Sequence, residues 1–189
     1  MNEVDDPRVE FYLKHQNLID EWAAVRSDAR DEAHRFYLSL FDDLDALAQD
    51  LDSAKAGVTD DNWSRVYLYR EEWTQPDADP IAMVCLEWRH ATFVDGNRVV
   101  GVRIDASHEA GKALRRRVGD QVRDMRANAG FGDRSSYYAA SKTPPTPEGE
   151  YWTHLSAYRA TLVELISDAW DAFAERIDRA FSETSPILE

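Results

Sequence analysis

Three stretches of this chain alternate between apolar and polar residues with a period of two, and long segments with a helical period stand on either side. The stretches are residues 64–70, 80–90 and 98–105, and they are rich in valine, isoleucine, tyrosine and tryptophan. This composition and this period are typical of β-strands. Because turn-forming residues separate the stretches, the sequence predicts an antiparallel meander of three strands.

The segment before the strands is predicted to be helical from residue 6 to residue 52. It begins with Asp6-Pro7, which suits the N-cap and the first turn of a helix. Apolar residues then recur at intervals of three and four on either side of a polar middle. Two interpretations stay open: one long helix, or two helices joined near Ser27-Asp28 with Asp28 as the second cap.

Two further helices are predicted after the strands. The first spans residues 107–129 and ends at Gly130, since glycine is common just beyond a helix end. A proline-containing loop over residues 130–150 leads to the last helix, at residues 150–182. We therefore expect a single α+β domain over residues 1–189, with a three-stranded antiparallel meander packed against long N-terminal and C-terminal helices.

The amphipathic first and last helices have the spacing of helices that cover one face of a sheet. We expect their apolar residues to pack mainly within the molecule. A helix of about 30 residues is roughly 45 Å long, so it could also project beyond the sheet and leave apolar surface for a partner or for self-association.

The charge balance limits the classes of partner. The chain has 36 acidic and 22 basic residues and a formal net charge of -14, which repels phosphate backbones and anionic lipid headgroups. We therefore expect no direct nucleic-acid binding by the surface as a whole and no membrane association. The acidity is compatible with high-salt adaptation or with GC-rich coding, and composition does not separate these two origins.

Cysteine content and the first residues indicate a compartment. Cys85 is the single cysteine, so no intramolecular disulfide can form. The first residues are acidic and lack the apolar segment of a secretory signal, and no run of about 18 apolar residues is present to span a bilayer. We expect a cytoplasmic protein.

One acid, Glu87, stands in the apolar run of the second predicted strand. Successive side chains of a strand point to opposite faces. Val84, Leu86 and Trp88 therefore share one face, and Glu87 lies on the other. The glutamate is predicted to lie outside the apolar face of the sheet.

The partner of Glu87 depends on the register of the following hairpin. A three-residue loop over residues 94–96 places the apolar faces of the two strands together and sets Glu87 directly opposite Arg103. Such a cross-strand ion pair contributes roughly 0.2–1 kcal/mol. A loop over residues 95–97 would instead oppose Glu87 and Asp105, two like charges, so electrostatics favours the first register.

A second interpretation of Glu87 comes from a short motif. Pro76-Asp77, followed by Glu87-Trp88-Arg89, resembles a degenerate form of the PD-(D/E)XK nuclease signature, with arginine where that family has lysine. The resemblance implies Asp77, Glu87 and Asp105 as oxygen ligands of Mg²⁺. Arg89 stays protonated and could stabilise a phosphate, but it could not accept a proton.

The predicted helix at residues 107–129 offers a candidate binding surface. Its cations lie along one side, and the following loop adds two aromatic residues and another arginine, a mixture common at binding surfaces. The same cations could also neutralise acids of neighbouring helices. The candidate binding residues are Lys112, Arg116, Arg123, Arg126, Arg134, Tyr137 and Tyr138.

No motif in the chain is specific enough to name a reaction, and we therefore expect a non-catalytic acidic interaction or accessory protein without a cofactor. One form of this hypothesis is a competitor for a nucleic-acid-binding protein, since a carboxylate-rich surface can occupy a phosphate-binding groove. The alternative is a metal-dependent nuclease that uses Mg²⁺ at Asp77, Glu87 and Asp105 with Arg89.

Overall fold

The computed structural model describes residues 6–74, 79–89, 98–107, 109–132, 137–145 and 155–183. These ranges contain four α-helices and five β-strands. The helices are α1 (Pro7–Leu38), α2 (Leu40–Asp50), α3 (Glu109–Asn128) and α4 (Leu155–Ser182). The strands are β1 (Ala54–Thr59), β2 (Trp63–Arg70), β3 (Ala82–Arg89), β4 (Arg98–Ile104) and β5 (Tyr138–Lys142).

The sheet is antiparallel and follows chain order, β1-β2-β3-β4-β5. The α+β class is confirmed, and the three predicted strands correspond to β2, β3 and β4. The prediction of three strands was incomplete, because β5 lies in the segment predicted to be a loop and β1 lies in residues 53–62, for which no strand was predicted. Both are short and contain alanine, lysine, glycine or serine, which have little intrinsic preference for strands. Pairing with a neighbouring strand determines their conformation.

The N-terminal helical segment consists of two helices that separate at Ser39, far from the expected junction near Ser27-Asp28. Asp6 caps α1 as predicted, since its carboxylate accepts a hydrogen bond from the Arg8 amide at 2.9 Å. The break is stabilised by Arg159 of α4, whose guanidinium donates to the Ser39 carbonyl at 2.6 Å and to the Ser39 hydroxyl at 3.0 Å. This contact from a distant helix fixes a boundary that local sequence does not mark.

The other predicted helix boundaries agree where the structure describes them. Gly130 follows α3 with a φ of +73°, a left-handed conformation that glycine adopts without steric cost. Helix α4 ends at Ser182 as predicted. Its predicted start, at residue 150, lies outside the described residues. That the chain forms a single domain stays a prediction.

All four helices contribute to the main core, which lies on one face of the sheet. Val84, Leu86 and Trp88 are fully buried there, which confirms the alternation predicted for β3. The opposite face carries a second, smaller cluster that contains no residue of the described helices: Tyr67, Met83, Cys85 and Tyr138. Glu87 belongs to this second face.

The register of the β3–β4 hairpin differs from both predicted registers. Glu87 lies opposite Val99, whereas Arg103 lies opposite Met83. The strands are shifted by four residues relative to the favoured prediction, and an even shift keeps both apolar faces on the same side. Neither predicted register forms. The three-residue loops proposed for these registers, at residues 94–96 and 95–97, lie outside the described residues.

Helix α4 packs as expected, with ten of its residues buried. Helix α1 behaves differently, because only Ala33 and Tyr37 near its C-terminal end are buried. The expectation that the apolar residues of the first helix pack within the molecule is therefore wrong for residues 7–29, which we call the projecting segment of α1. Among the described helices, none has the length and the apolar run needed to cross a membrane.

Candidate functional site

Glu87 is buried between two arginines on the second face of the sheet. Its Oε2 atom lies 3.0 Å from Arg103 Nε and 3.9 Å from Arg65 Nη1. Arg65 is the residue directly opposite Glu87 in β2. Only 10% of the Glu87 side chain is exposed, so these cations replace water as the principal stabilisation of its charge.

Arg103 reaches Glu87 from an unexpected direction. Arg103 lies four residues along β4 from Val99, the residue opposite Glu87, a distance of roughly 13 Å along a strand. Gly101 lies between Val99 and Arg103 on the same face and has no side chain to obstruct the long guanidinium arm. The predicted ion pair therefore forms, but through the length of the side chains and not through direct cross-strand opposition.

Cys85 and Tyr138 lie next to this charged group, with 3.9 Å between the thiol sulfur and the phenolic oxygen. Burial raises the pKa of the Cys85 thiol to about 12, and the negative charge of Glu87 acts in the same direction. Burial also raises the pKa of the Tyr138 phenol well above its ordinary range, and the neighbouring Cys85 and Glu87 raise it further. Both groups stay protonated at neutral pH, so neither is a ready nucleophile or base.

The Cys85 thiol should therefore resist modification in the folded protein. An unfolded thiol ionises near pH 8.5, whereas the folded one ionises near pH 12. Between these two pH values the thiol is protonated in the folded state and ionised in the unfolded state. The free energy of unfolding therefore falls by about 1.4 kcal/mol for each pH unit above pH 8.5.

We expect Ellman's reagent at pH 8 to react immediately with Cys85 in urea, and only on the unfolding timescale without urea. Rapid reaction with the folded protein would contradict the buried placement.

The residues of the nuclease-like motif do not form a described metal site. Asp77 lies outside the described residues. Asp105 accepts hydrogen bonds from the Ser107 amide at 2.9 Å and the Ser107 hydroxyl at 3.0 Å, and the Arg89 guanidinium lies 5.9 Å from the centre of the Trp63 ring. Within the described part of the chain, no group of three histidine, cysteine, aspartate or glutamate residues could hold a metal ion.

The predicted basic surface is a groove between α3 and the region around β5. Two cavities of about 270 and 500 Å³ adjoin there and share Arg115 and Arg116 in their walls. We call their combined lining the basic groove. It contains five of the seven candidate binding residues: Lys112, Arg116, Arg123, Tyr137 and Tyr138. The side chain of Arg126 and the whole of Arg134 lie outside the described part of the structure.

Neighbouring acids neutralise part of the basic groove. Lys112 Nζ lies 2.7 Å from a Glu109 carboxylate oxygen, and Arg123 forms an ion pair with Asp120. These are pairs one helical turn apart, which contribute little stability at an exposed surface. The groove therefore has less net positive charge than its arginines suggest.

The two tyrosines of the basic groove have different environments. Tyr137 is about half exposed, and the Arg103 guanidinium lies 5.7 Å from the centre of its ring. Tyr138 is buried, so it contributes to the wall of a cavity without offering a free phenol. Arg115 also lines both cavities and was missed by sequence reasoning, because helical angles alone do not show which cation faces a cleft.

The projecting segment of α1 is the largest exposed apolar feature of the described structure. Seven of the ten large apolar residues that are exposed lie on it: Val9, Phe11, Tyr12, Leu13, Leu18, Trp22 and Val25. Trp22 is 66% exposed and Phe11 is 61% exposed. Four of the seven, Phe11, Leu18, Trp22 and Val25, share one side of the helix. Monomeric proteins rarely leave contiguous apolar patches in water, and such patches mark interaction sites.

Hydrogen bonds anchor the C-terminal end of α1 in the domain. The Trp88 indole donates to His34 Nδ1 at 3.1 Å. The buried Arg98 guanidinium donates to the Tyr37 hydroxyl at 2.8 Å and to the Tyr158 hydroxyl at 3.3 Å. These bonds connect the C-terminal end of α1 to β3, β4 and α4.

Comparisons with known proteins add no candidate function. No protein-family model, no curated protein and no solved structure matches this chain. Three features of the described structure remain as candidate sites. The first is the buried set of Glu87, Arg65, Arg103, Cys85 and Tyr138, which we call the Glu87 group. The others are the basic groove and the projecting segment of α1.

Proposed function

We propose that this protein is a non-catalytic interaction protein that binds a macromolecular partner through the projecting segment of α1. The observation that supports the proposal is the exposure of seven large apolar side chains on a helix whose other end is anchored in the core. Apolar side chains that stay in water are thermodynamically unfavourable, whereas burying them against a partner is favourable.

The apolar surface exposed on Phe11 and Trp22 is large enough to contribute substantially to binding. An aromatic side chain has roughly 150–250 Å² of surface, so Phe11 and Trp22 each leave on the order of 100 Å² or more in water. At roughly 25 cal/mol per Å² of apolar surface buried, these two residues alone could supply about 5 kcal/mol before the costs of association. Aromatic residues of this kind are typical anchors at interfaces.

The Glu87 group supports a structural role better than a catalytic one. Its carboxylate already has two arginine partners, and the adjacent thiol and phenol are buried and protonated. The more specific hypothesis, an acidic competitor for a nucleic-acid-binding protein, stays a prediction and is not needed for binding through α1.

The proposal can be tested by capture from a native lysate with a tagged full-length chain. We expect the wild type to retain one or more binding partners, including untagged copies of itself, and Leu18→Glu/Trp22→Glu to lose them. Gln16→Glu/Ala24→Glu is the matched control, since it adds the same charge at exposed positions on the other side of the helix. Equal capture by all three proteins, or no capture together with monomeric sedimentation, would overturn the proposal.

A further inference from the structure

We propose that the partner of the projecting segment is a second copy of this chain, bound as an antiparallel pair of α1 helices. This inference depends on the proposed function, because it identifies the occupant of the same apolar surface. It follows from the spacing, the sizes and the charges of residues along α1.

One side of the projecting segment carries a heptad stripe. Its members are separated alternately by four and three residues, the spacing of helices that pair side by side. The ring centroids of the first two members lie 4.5 Å apart, which shows that they share a face. The stripe consists of Phe11, His15, Leu18, Trp22, Val25 and Ala29. Val9 and Leu13 lie on other sides of the helix.

Side-chain sizes favour the antiparallel orientation. If two copies cross at residue 20, Trp22 packs beside Leu18 of the second copy, and Phe11 packs beside Ala29 of the second copy. Each layer then combines a larger with a smaller side chain, and His15 meets Val25 in the remaining layer. A parallel pair would instead oppose Trp22 with itself and Ala29 with itself, which would alternate overfilled and empty layers.

The flanking charges fit the same arrangement. Lys14 lies opposite Asp28 of the second copy, and symmetry gives this complementary pair twice. On the other flank, Ile19 lies opposite its own equivalent and extends the apolar contact, and Arg26 lies near Tyr12 of the second copy. Glu21 meets its own equivalent at the symmetry axis, one exposed like-charge pair that weakens the association by a few tenths of a kcal/mol.

The pairing also fits the shape and the area available. The anchored part of α1 begins at Ala33, which would lie level with Pro7 of the second copy, so the two sheets stay roughly 39 Å apart along the helix axis. Two stripes with their flanks would bury on the order of 1,000 Å², the lower limit of specific interfaces. We therefore expect a reversible dimer with a Kd in roughly the micromolar range.

Sedimentation of the purified full-length chain over a concentration series tests the pairing. We expect the wild type and Gln16→Glu/Ala24→Glu to dimerise with similar Kd values, and Leu18→Glu/Trp22→Glu to stay monomeric at concentrations tenfold higher. Circular dichroism should show that all three chains are folded. A dimer that survives Leu18→Glu/Trp22→Glu would overturn the proposed interface.

A charge exchange tests the orientation independently of apolar contacts. Lys14→Glu should raise the dimer Kd severalfold, Asp28→Lys should do the same, and Lys14→Glu/Asp28→Lys should restore it, because both ion pairs re-form in reverse. Glu21→Gln should lower the Kd slightly. Additive weakening in the double variant would contradict the antiparallel register.

The outcomes separate this inference from the proposed function. If the purified chain is monomeric at all concentrations but captures a lysate protein in a manner that depends on Leu18 and Trp22, the second copy is the wrong occupant and the interaction function stands. If it is monomeric and captures nothing, both proposals fall.

Discussion

Replacing Glu87 by glutamine should destabilise the protein by about 3 kcal/mol or more, because removal of one partner leaves buried charge without compensation. Arg103 would lose the carboxylate that lies 3.0 Å from its Nε atom, whereas Arg65 would keep Asp61 at 3.2 Å. The loss therefore falls mainly on Arg103, whose side chain is only 19% exposed. Urea unfolding followed by tryptophan fluorescence measures the change. The expected result is a lower midpoint with an unchanged denaturant slope.

The matched control is Glu71→Gln. Glu71 forms an ion pair of 2.7 Å with Lys55 at the surface, where water and salt screen the interaction. We expect no clear shift of the unfolding midpoint for this variant. Similar losses for Glu71→Gln and Glu87→Gln would show that burial does not distinguish the two glutamates.

The sign of the Glu87→Gln effect also separates structure from chemistry. In a metal-dependent nuclease, converging carboxylates repel one another when no metal ion is bound, so Glu87→Gln should stabilise the metal-free fold. The same substitution should abolish DNA cleavage when Mg²⁺ or Mn²⁺ is added. In the arrangement observed here, the same substitution should destabilise the fold. Stabilisation together with loss of a measurable metal-dependent cleavage would revive the nuclease hypothesis.

Alanine at Gly101 should cost about 3 kcal/mol, at the upper end of the usual range for overpacking. A β-carbon at this position would overlap the carbonyl oxygen of Ala140 and lie 2.9 Å from the Cα atom of Ser141. Both obstacles are backbone atoms of β5, so relief requires the edge strand to move.

Gly119→Ala is the control for Gly101→Ala, since a β-carbon at residue 119 meets nothing within 4 Å. Alanine is favoured over glycine in a helix by up to about 1 kcal/mol, so this variant should be stabilised. Thermal unfolding of both variants against the wild type checks the prediction. If Gly101→Ala unfolds at the wild-type temperature, the close approach of β4 and β5 is not a constraint on stability.

The sequence predicted the parts of the fold that local patterns encode. The alternation in β3 correctly assigned Leu86 to the core and Glu87 to the other face, and Gly130 correctly marked the end of α3. These predictions depend on chain stereochemistry and on the period of apolar residues, which act within a few neighbouring residues. The basic groove was partly predictable for the same reason, because helical angles place Lys112, Arg116 and Arg123 on one side.

Distant contacts determined what local patterns did not predict. The edge strands β1 and β5 form by pairing with strands that were recognised, although their own residues have little strand preference. The break at Ser39 depends on Arg159. The register of β3 and β4 was predicted from the strongest charge pairing, but long side chains allow Glu87 and Arg103 to meet in a register shifted by four residues.

The sequence by itself therefore determined the α+β class, the three central strands, the amphipathic helix α4 and the face on which Glu87 lies. Only the tertiary structure decided which apolar residues are used inside the molecule. The helical spacing of α1 resembles that of a core helix, yet Trp22 and Leu18 extend into solvent. A periodic apolar stripe specifies that a helix side should be buried, but not what buries it, because the hydrophobic effect is non-directional.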